Sequence, residues 1–229
     1  AGKSTLARIM VGAALPSDGS VRLDGAEREQ WPADQWGEAV GYVAQEIALF
    51  PGTVAENIAR LSTKLDERRL VAAAQAAGIH DMLLALPNGY GTIIGPEGVQ
   101  LSGGQKQRLG LARAMYDDPS LIVLDEPNSN LDEVGEQALL AALVDLRKRG
   151  KTIVLITHRT SIISVTNKLL LLHDGAAKMF GPTDQVLAKL SEQQKQMQQA
   201  QLTQQKEKKQ AEQKQQTTST VNVVDTGAS

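Results

Sequence analysis

Three short runs in the chain are almost wholly Val, Ile and Leu and are bounded by polar residues: Leu121 to Leu124, Thr152 to Thr157, and Lys168 to Leu172. Runs of that length and composition predict buried parallel strands. Between the first two, Leu139, Leu140, Leu143 and Leu146 recur at helical spacing within Val134 to Arg149, and Gly150 marks the end. Strand, helix and strand in that order predict a right-handed parallel crossover. Nearer the front, Val21 to Leu23 and Val40 to Val43 are weaker strand candidates, and Asp24-Gly25 supplies turn chemistry, so a short antiparallel region is expected there. From Val54 to Tyr116 the pattern changes to alanine- and leucine-rich helical segments, among them Asp66 to Ala77 and Ile79 to Leu86, with no strand signal. That stretch reads as a helical lobe inserted into an α/β core. After Leu190 the pattern fails: of the 26 residues from Ser191 to Gln216, twelve are glutamine and five lysine. Such a segment cannot build a core, and it is expected to be disordered or a solvated helix. Docking on a partner or a coiled coil is the competing reading, and with only Met197 and Leu202 as apolar anchors the solvated extension is favoured.

Composition narrows the classes. The chain has 229 residues, 41% of them hydrophobic, enough for one sizeable core. With 24 basic and 26 acidic residues the formal charge is -2, so phosphate binding must be local rather than driven by a global field. There is no cysteine, which excludes disulfides, thiolate metal sites and thiol catalysis and fits a reducing compartment. No apolar run approaches the roughly 18 to 20 residues that span a bilayer. Aromatic residues make up 3%, which offers no base-stacking platform for single-stranded nucleic acid.

The first residues carry candidate chemistry. Ala1-Gly2-Lys3-Ser4-Thr5 is followed by Leu6, Ile9 and Met10 at helical spacing, the back half of a P-loop. In such a loop the backbone N–H groups and the helix N-terminus face phosphate oxygens. Gly2, Lys3, Ser4 and Thr5 are therefore nucleotide-binding candidates, with Lys3 neutralising the β- and γ-phosphates and the Ser4 hydroxyl ligating Mg²⁺. The loop's first glycine and its preceding strand are expected upstream of Ala1, within a longer protein.

Further along, Leu101-Ser102-Gly103-Gly104-Gln105 precedes a helical pattern. Ser102 and Gln105 form a capping box, so a helix starts here with free N–H groups behind two small glycines, a second anion site. A capped helix alone would not need both glycines. This run, with the following Gln107-Arg108 and Ala112-Arg113-Ala114, resembles the signature motif of the ABC ATPase family, and the resemblance extends over residues 1 to about 190. It implies an α/β P-loop NTPase fold of the ABC nucleotide-binding type, with a mainly parallel core, a small antiparallel β region and an inserted helical subdomain. The boundaries that follow are 1–53 with 117–190 for the core, 54–116 for the helical subdomain and 191–229 for the tail. It also implies that Ser102, Gly103 and Gly104 meet the γ-phosphate held by a second copy, so that a homodimer sandwiches two ATP molecules.

Leu121-Ile122-Val123-Leu124-Asp125-Glu126 is an apolar strand delivering two carboxylates at its C-terminal end, where ligands sit in parallel sheets. Strand alternation sends the two side chains apart. This resembles the Walker B motif, in which Asp125 serves the Mg²⁺ shell and Glu126 polarises the attacking water. Ser129-Asn130-Leu131-Asp132 is similar to the family's D-loop, with Asp132 at the dimer interface. His158, one strand further on, matches the switch histidine that orients the water; His80 and His173 carry no motif. Gln45, after the Val40 to Val43 strand, resembles the Q-loop glutamine that reaches Mg²⁺ and the water. The family's adenine-stacking aromatic is expected upstream of Ala1.

Leu49-Phe50-Pro51-Gly52-Thr53-Val54-Ala55-Glu56-Asn57-Ile58 is similar to exporters whose ATPase is fused behind a membrane domain. Ile94-Gly95-Pro96-Glu97-Gly98, the Asn128-Ser129-Asn130 continuation, and Asp174-Gly175 with Phe180-Gly181-Pro182 look more narrowly like the type I secretion permease/ATPase family. Pro96-Glu97 stands where many exporters have Gly-Glu-Arg-Gly, which leaves a coupling role for Glu97 open. The resemblance implies a transmembrane domain in the same chain, membrane-fusion and outer-membrane channel partners, an exported polypeptide, and a place at the cytoplasmic face of the inner membrane. A soluble ABC ATPase acting on nucleic acid or ribosomes, and an exporter of lipid or small molecules, are the competing readings. Near-neutral charge and scarce aromatics weigh against nucleic acid, and Glu126 and His158 weigh against a module without turnover.

Overall fold

The computed structural model describes residues 2–95 and 98–199. In chain order they form α1 (Lys3–Met10), β1 (Arg22–Leu23), β2 (Ala26–Glu27), α2 (Ala33–Ala39), β3 (Val40–Val43), β4 (Gly52–Thr53), α3 (Val54–Ile58), α4 (Glu67–Ala76), α5 (His80–Leu84), β5 (Ile93–Ile94) and α6 (Gly103–Met115). Then follow β6 (Leu121–Asp125), α7 (Glu133–Lys148), β7 (Thr152–Ile156), α8 (Thr160–Ile163), β8 (Lys168–His173), β9 (Ala176–Pro182) and helical residues 183–199. The described residues fall into two compact units, one within 2–166 with 172–177 and one of 167–171 with 178–199. Among the described residues no helix is long and apolar enough to cross a membrane.

The first unit is organised by a parallel sheet of order β3-β6-β7. Val43 is level with Leu124, and Asp125 with Ile156, so the three strands end at one edge. Strand β6 is central and buried from Ile122 to Asp125, as an apolar run between two parallel neighbours should be. The crossover between β6 and β7 is α7, capped by Asp132, whose Oδ1 accepts from the Gly135 amide at 2.8 Å. Leu139, Leu143 and Leu146 form its buried stripe, each contributing about 1.5–3 kcal/mol by burial. Helix α6 packs on β3, α3 and α4. Its start is fixed by the reciprocal cap, in which Gln105 N–H donates to Ser102 Oγ at 3.3 Å and Ser102 N–H donates to Gln105 Oε1 at 2.8 Å. Thr53 and Glu56 cap α3 in the same way.

Three sequence expectations need correction. Val40–Val43 joins the parallel sheet, while the antiparallel pairing near the front is confined to β1 and β2; β3 is buried along almost its whole length, the habit of a parallel strand. Lys168–His173 is not a buried parallel strand: it alternates in exposure and pairs with β9. Its connection, Asp174-Gly175, has both φ values positive, 50° and 77°, the signature of a two-residue hairpin turn, and Asp24-Gly25 behaves likewise. Four leucines in a row conceal alternation. The 54–116 stretch also holds a strand, β5, paired antiparallel with β4. Of the glutamine-rich segment, 191–199 is helical and exposed; its remainder, like Ala1, Pro96 and Glu97, lies outside the described residues.

Helix α6 reaches β3 closely because Gly41 has no side chain: a Cβ there would run into the Ala114 carbonyl oxygen and press on Pro119. Gly41→Ala is expected to destabilise the fold by about 1–3 kcal/mol, read from the urea midpoint; an unchanged midpoint would show that β3 and α6 separate freely.

Candidate functional site

Parallel strands that end in register deliver the residues following them to one place. Gln45 lies two residues past β3, Glu126 one past β6, and His158 two past β7. Their side chains meet: Gln45 Nε2 donates to Glu126 Oε2 at 3.4 Å, and His158 Nε2 lies 3.2 Å from Glu126 Oε1. His158 is 69% exposed, so its contact with Glu126 contributes at most about 1 kcal/mol of stability. Its importance is positional.

Glu126 itself sits in an unusual conformation. Its φ is 50°, a left-handed backbone that non-glycine residues seldom adopt. Two hydrogen bonds impose it: Glu126 N–H donates to Ile156 O at 2.9 Å, and its own carbonyl accepts from Ser129 N–H at 3.2 Å. The chain therefore turns sharply as the strand ends, and the carboxylate faces the gap between Gln45 and His158. Next to it, Asn128 is buried and accepts from the Thr157 hydroxyl at 3.3 Å. One turn into α7, Glu136 accepts from Ser161 Oγ at 2.7 Å and pairs with Arg159. The Ser161 hydroxyl first, and the Arg159 guanidinium after it, hold the Glu136 carboxyl below its ordinary range against the opposing effect of burial. The segment bearing His158 is thus tied to α7 on its far side.

Asp125 is different in kind. It is 2% exposed, and its Oδ1 has no hydrogen-bond partner. Burial, and after it the Asp125 carboxylate, pushes the Tyr42 phenol up from its ordinary value, while Arg8 pulls the other way. Helix α1 packs on β6. Its N-cap is Gly2 in the left-handed conformation, φ 94°, with no side-chain cap. No side chain caps the first-turn amides of α1, and the Lys3, Ser4 and Thr5 side chains have no hydrogen-bond or ion-pair partner among the described residues. A hydroxyl, an amide oxygen and a buried carboxylate with a free lone pair are hard donors that suit Mg²⁺. Among the described residues no group of three or more acidic, His or Cys side chains could hold an ion alone, as suits a cation that completes its shell with phosphate and water. The residues fit the group.

Ser102, Gly103 and Gly104 stand apart from this cluster, with no hydrogen bond to Gln45, Glu126 or His158. The two glycines lie against Asn130: a Cβ on Gly103 would come within 3.2 Å of its side chain, and one on Gly104 within 3.1 Å of its carbonyl oxygen. Asp132 spends one carboxylate oxygen on capping α7. His80 is bonded to the Tyr90 hydroxyl at 2.9 Å, away from the carboxylates. Asn57 and Asn128 lie in runs that carry the family resemblance, but neither they nor Glu136 was assigned a role from the sequence, since a residue's burial and partners do not show there.

A family profile described as "ABC transporter" matches residues 1–129. The chain is 48% identical over 194 residues to the "Type I secretion system ATP-binding protein PrsD" of Rhizobium meliloti, covering 85% of this chain and 33% of the relative. It is 37% identical to an "ATP-dependent lipid A-core flippase" of Chromohalobacter salexigens, covering 82% of this chain and 32% of the relative. A solved bacterial Atm1-family ABC exporter with ATP bound superposes with a TM-score of 0.74 at 32% identity, over 82% of this chain and 33% of that one. The chain thus spans about a third of the length of these relatives.

Because Glu126 pays a backbone cost for its position, Glu126→Gly is expected to leave the fold as stable as before or up to about 1 kcal/mol more stable, although both side-chain contacts are lost. Urea denaturation measures it; a clear loss of stability would mean that the contacts outweigh the strain.

Proposed function

The chain belongs to the ABC transporter family and carries that family's ATPase domain, and from that premise we propose that it drives an exporter of polypeptides of the type I secretion kind. The observation that carries the ATPase reading is the meeting of Gln45, Glu126 and His158 at one sheet edge, beside the buried, unpartnered oxygen of Asp125. Identity to the secretion relative, 48% against 37% for the lipid flippase, favours a polypeptide over a lipid.

In this reading Gly2, Lys3, Ser4 and Thr5 hold the phosphates, with Lys3 offsetting the charge that gathers as the γ-phosphoryl leaves. Ser4, Gln45 and Asp125 would hold Mg²⁺, which would supply neutralisation of phosphate charge. Glu126 polarises the water that attacks the γ-phosphorus, and its angle is set by the turned backbone. His158 and Gln45 flank that water and keep it in line. Ser102, Gly103 and Gly104 serve the nucleotide of a second copy, since the free N-terminus of α6 is an anion site and is not joined to its own chain's carboxylates. Asp132 lies at that dimer interface. ATP thus acts as the glue of a homodimer, and its hydrolysis releases it. The remaining partners in this proposal are a transmembrane domain in the same chain, membrane-fusion and outer-membrane channel proteins, and the exported polypeptide, with the ATPase at the cytoplasmic face of the inner membrane and no nucleic acid involved.

In the full-length protein Glu126→Gln is expected to slow ATP hydrolysis by about 10²-fold or more and to accumulate a nucleotide-bound closed dimer, detected by cross-linking across the two ATPase domains. Hydrolysis at the unmodified rate would remove Glu126 from the catalytic role. For the substrate, ATPase activity of the reconstituted full-length protein is expected to respond to an unfolded secreted polypeptide and not to lipid A. The reverse response would favour lipid export.

A further inference from the structure

We infer that Arg113 and Asn57 are positioning residues that hold the loop bearing Gln45, and through it the contact between Gln45 and Glu126. The inference rests on the ATPase reading above, since it concerns how Gln45 is placed. That contact, at 3.4 Å, is a long hydrogen bond, near the limit at which such bonds fail. A small shift of the loop would lose it.

The loop from Ala44 to Thr53 has little regular structure of its own, yet its backbone is gripped from one side. Asn57, on α3, is fully buried. Its Oδ1 accepts from Phe50 N–H at 2.9 Å and its Nδ2 donates to Phe50 O at 2.9 Å and Thr53 O at 3.0 Å. The side-chain amide thereby imitates a neighbouring strand. Arg113, in the last turn of α6, binds the Asn57 side chain through Nη2 at 2.8 Å, the Asn57 carbonyl through Nε at 2.9 Å and the Ala48 carbonyl through Nη1 at 2.9 Å. Its guanidinium also lies 5.0 Å from the Phe50 ring centroid. Closer to Gln45, Ile47 fits against Gly110, where any Cβ would strike it.

Two features argue for more than packing. Every polar atom of the Asn57 amide is used, so the loop has one low-energy register, because a half-satisfied buried amide costs about 1–3 kcal/mol. Arg113 has no ion-pair partner among the described residues, and its donors go to carbonyl oxygens of the loop and of Asn57. A guanidinium fork can serve three acceptors at once, which an ammonium cannot. The same helix begins at Ser102, so one rigid element carries both the residues assigned to the partner's nucleotide and the anchor of the Gln45 loop.

The test is a double-mutant cycle on ATP hydrolysis by the full-length protein, with Arg113→Lys and, as a second variant, Asn57→Asp, each made alone and with Gln45→Ala. Each single variant is expected to lower kcat about ten- to a hundredfold with the KM for ATP unchanged, and to cause no further loss once Gln45 is Ala. An equal fall in the Gln45→Ala background would overturn the inference, because the anchor would then act on the protein generally. If Gln45→Ala alone hydrolyses ATP at the unmodified rate, it is the role of Gln45 that fails, and the positioning inference falls with it.

Discussion

One backbone hydrogen bond, from Glu126 N–H to the Ile156 carbonyl, continues the β6–β7 ladder past the end of regular strand geometry. That bond pins the Glu126 amide at the sheet edge, while the bond from Ser129 N–H to the Glu126 carbonyl closes the turn that follows. Between them φ at Glu126 lies in the left-handed region, and the carboxylate reaches Gln45 and His158. The rest of the cluster is arranged around that choice: β3 brings Gln45 from one side, β7 brings His158 from the other, and Asp125 stays inside the sheet. Strain at a strand terminus is tolerable because the ladder on both sides of β6 overdetermines it.

The helix termini divide into two kinds. At α3, α6 and α7 one first-turn amide is taken by Thr53, Ser102 and Asp132, so these helices start where their own sequence dictates. At α1 no side chain performs that task. Helices α2, α5 and α8 also start without a side-chain cap, so what distinguishes α1 is that its uncapped start follows a left-handed glycine and carries Lys3, Ser4 and Thr5. At α6 the cap uses only the Gln105 amide, and Gly103 and Gly104 lie against Asn130.

Much of this architecture was legible in the sequence. Strands β6 and β7 and helix α7 announced themselves because their environments are uniform: fully buried strands read as unbroken apolar runs, and a half-buried helix reads as leucines at helical spacing. The ABC-type fold followed from Ser102 to Gln105 taken with Asp125 and Glu126. Lys168–His173 misled because consecutive leucines look alike whether a strand is covered on both faces or one, and the decisive signal was the Asp174-Gly175 turn beyond it. β3 was placed on the wrong side of the sheet boundary since four residues cannot reveal a partner 81 positions away. The identities of Gln45, Glu126 and His158 could be read, but not the turned backbone at Glu126, and neither could the grip of Asn57 and Arg113, because nothing in an isolated Asn tells that its amide is wholly buried.

The uncapped start of α1 reaches beyond chemistry into the stability of the protein. A helix whose first turn is completed by a ligand makes binding and folding parts of one equilibrium, and a ligand at a hundred times its Kd adds about 2.7 kcal/mol to the folded state. Gly2 offers nothing in its place. Without nucleotide that contribution is absent, so the stability of this helix start would follow the nucleotide concentration.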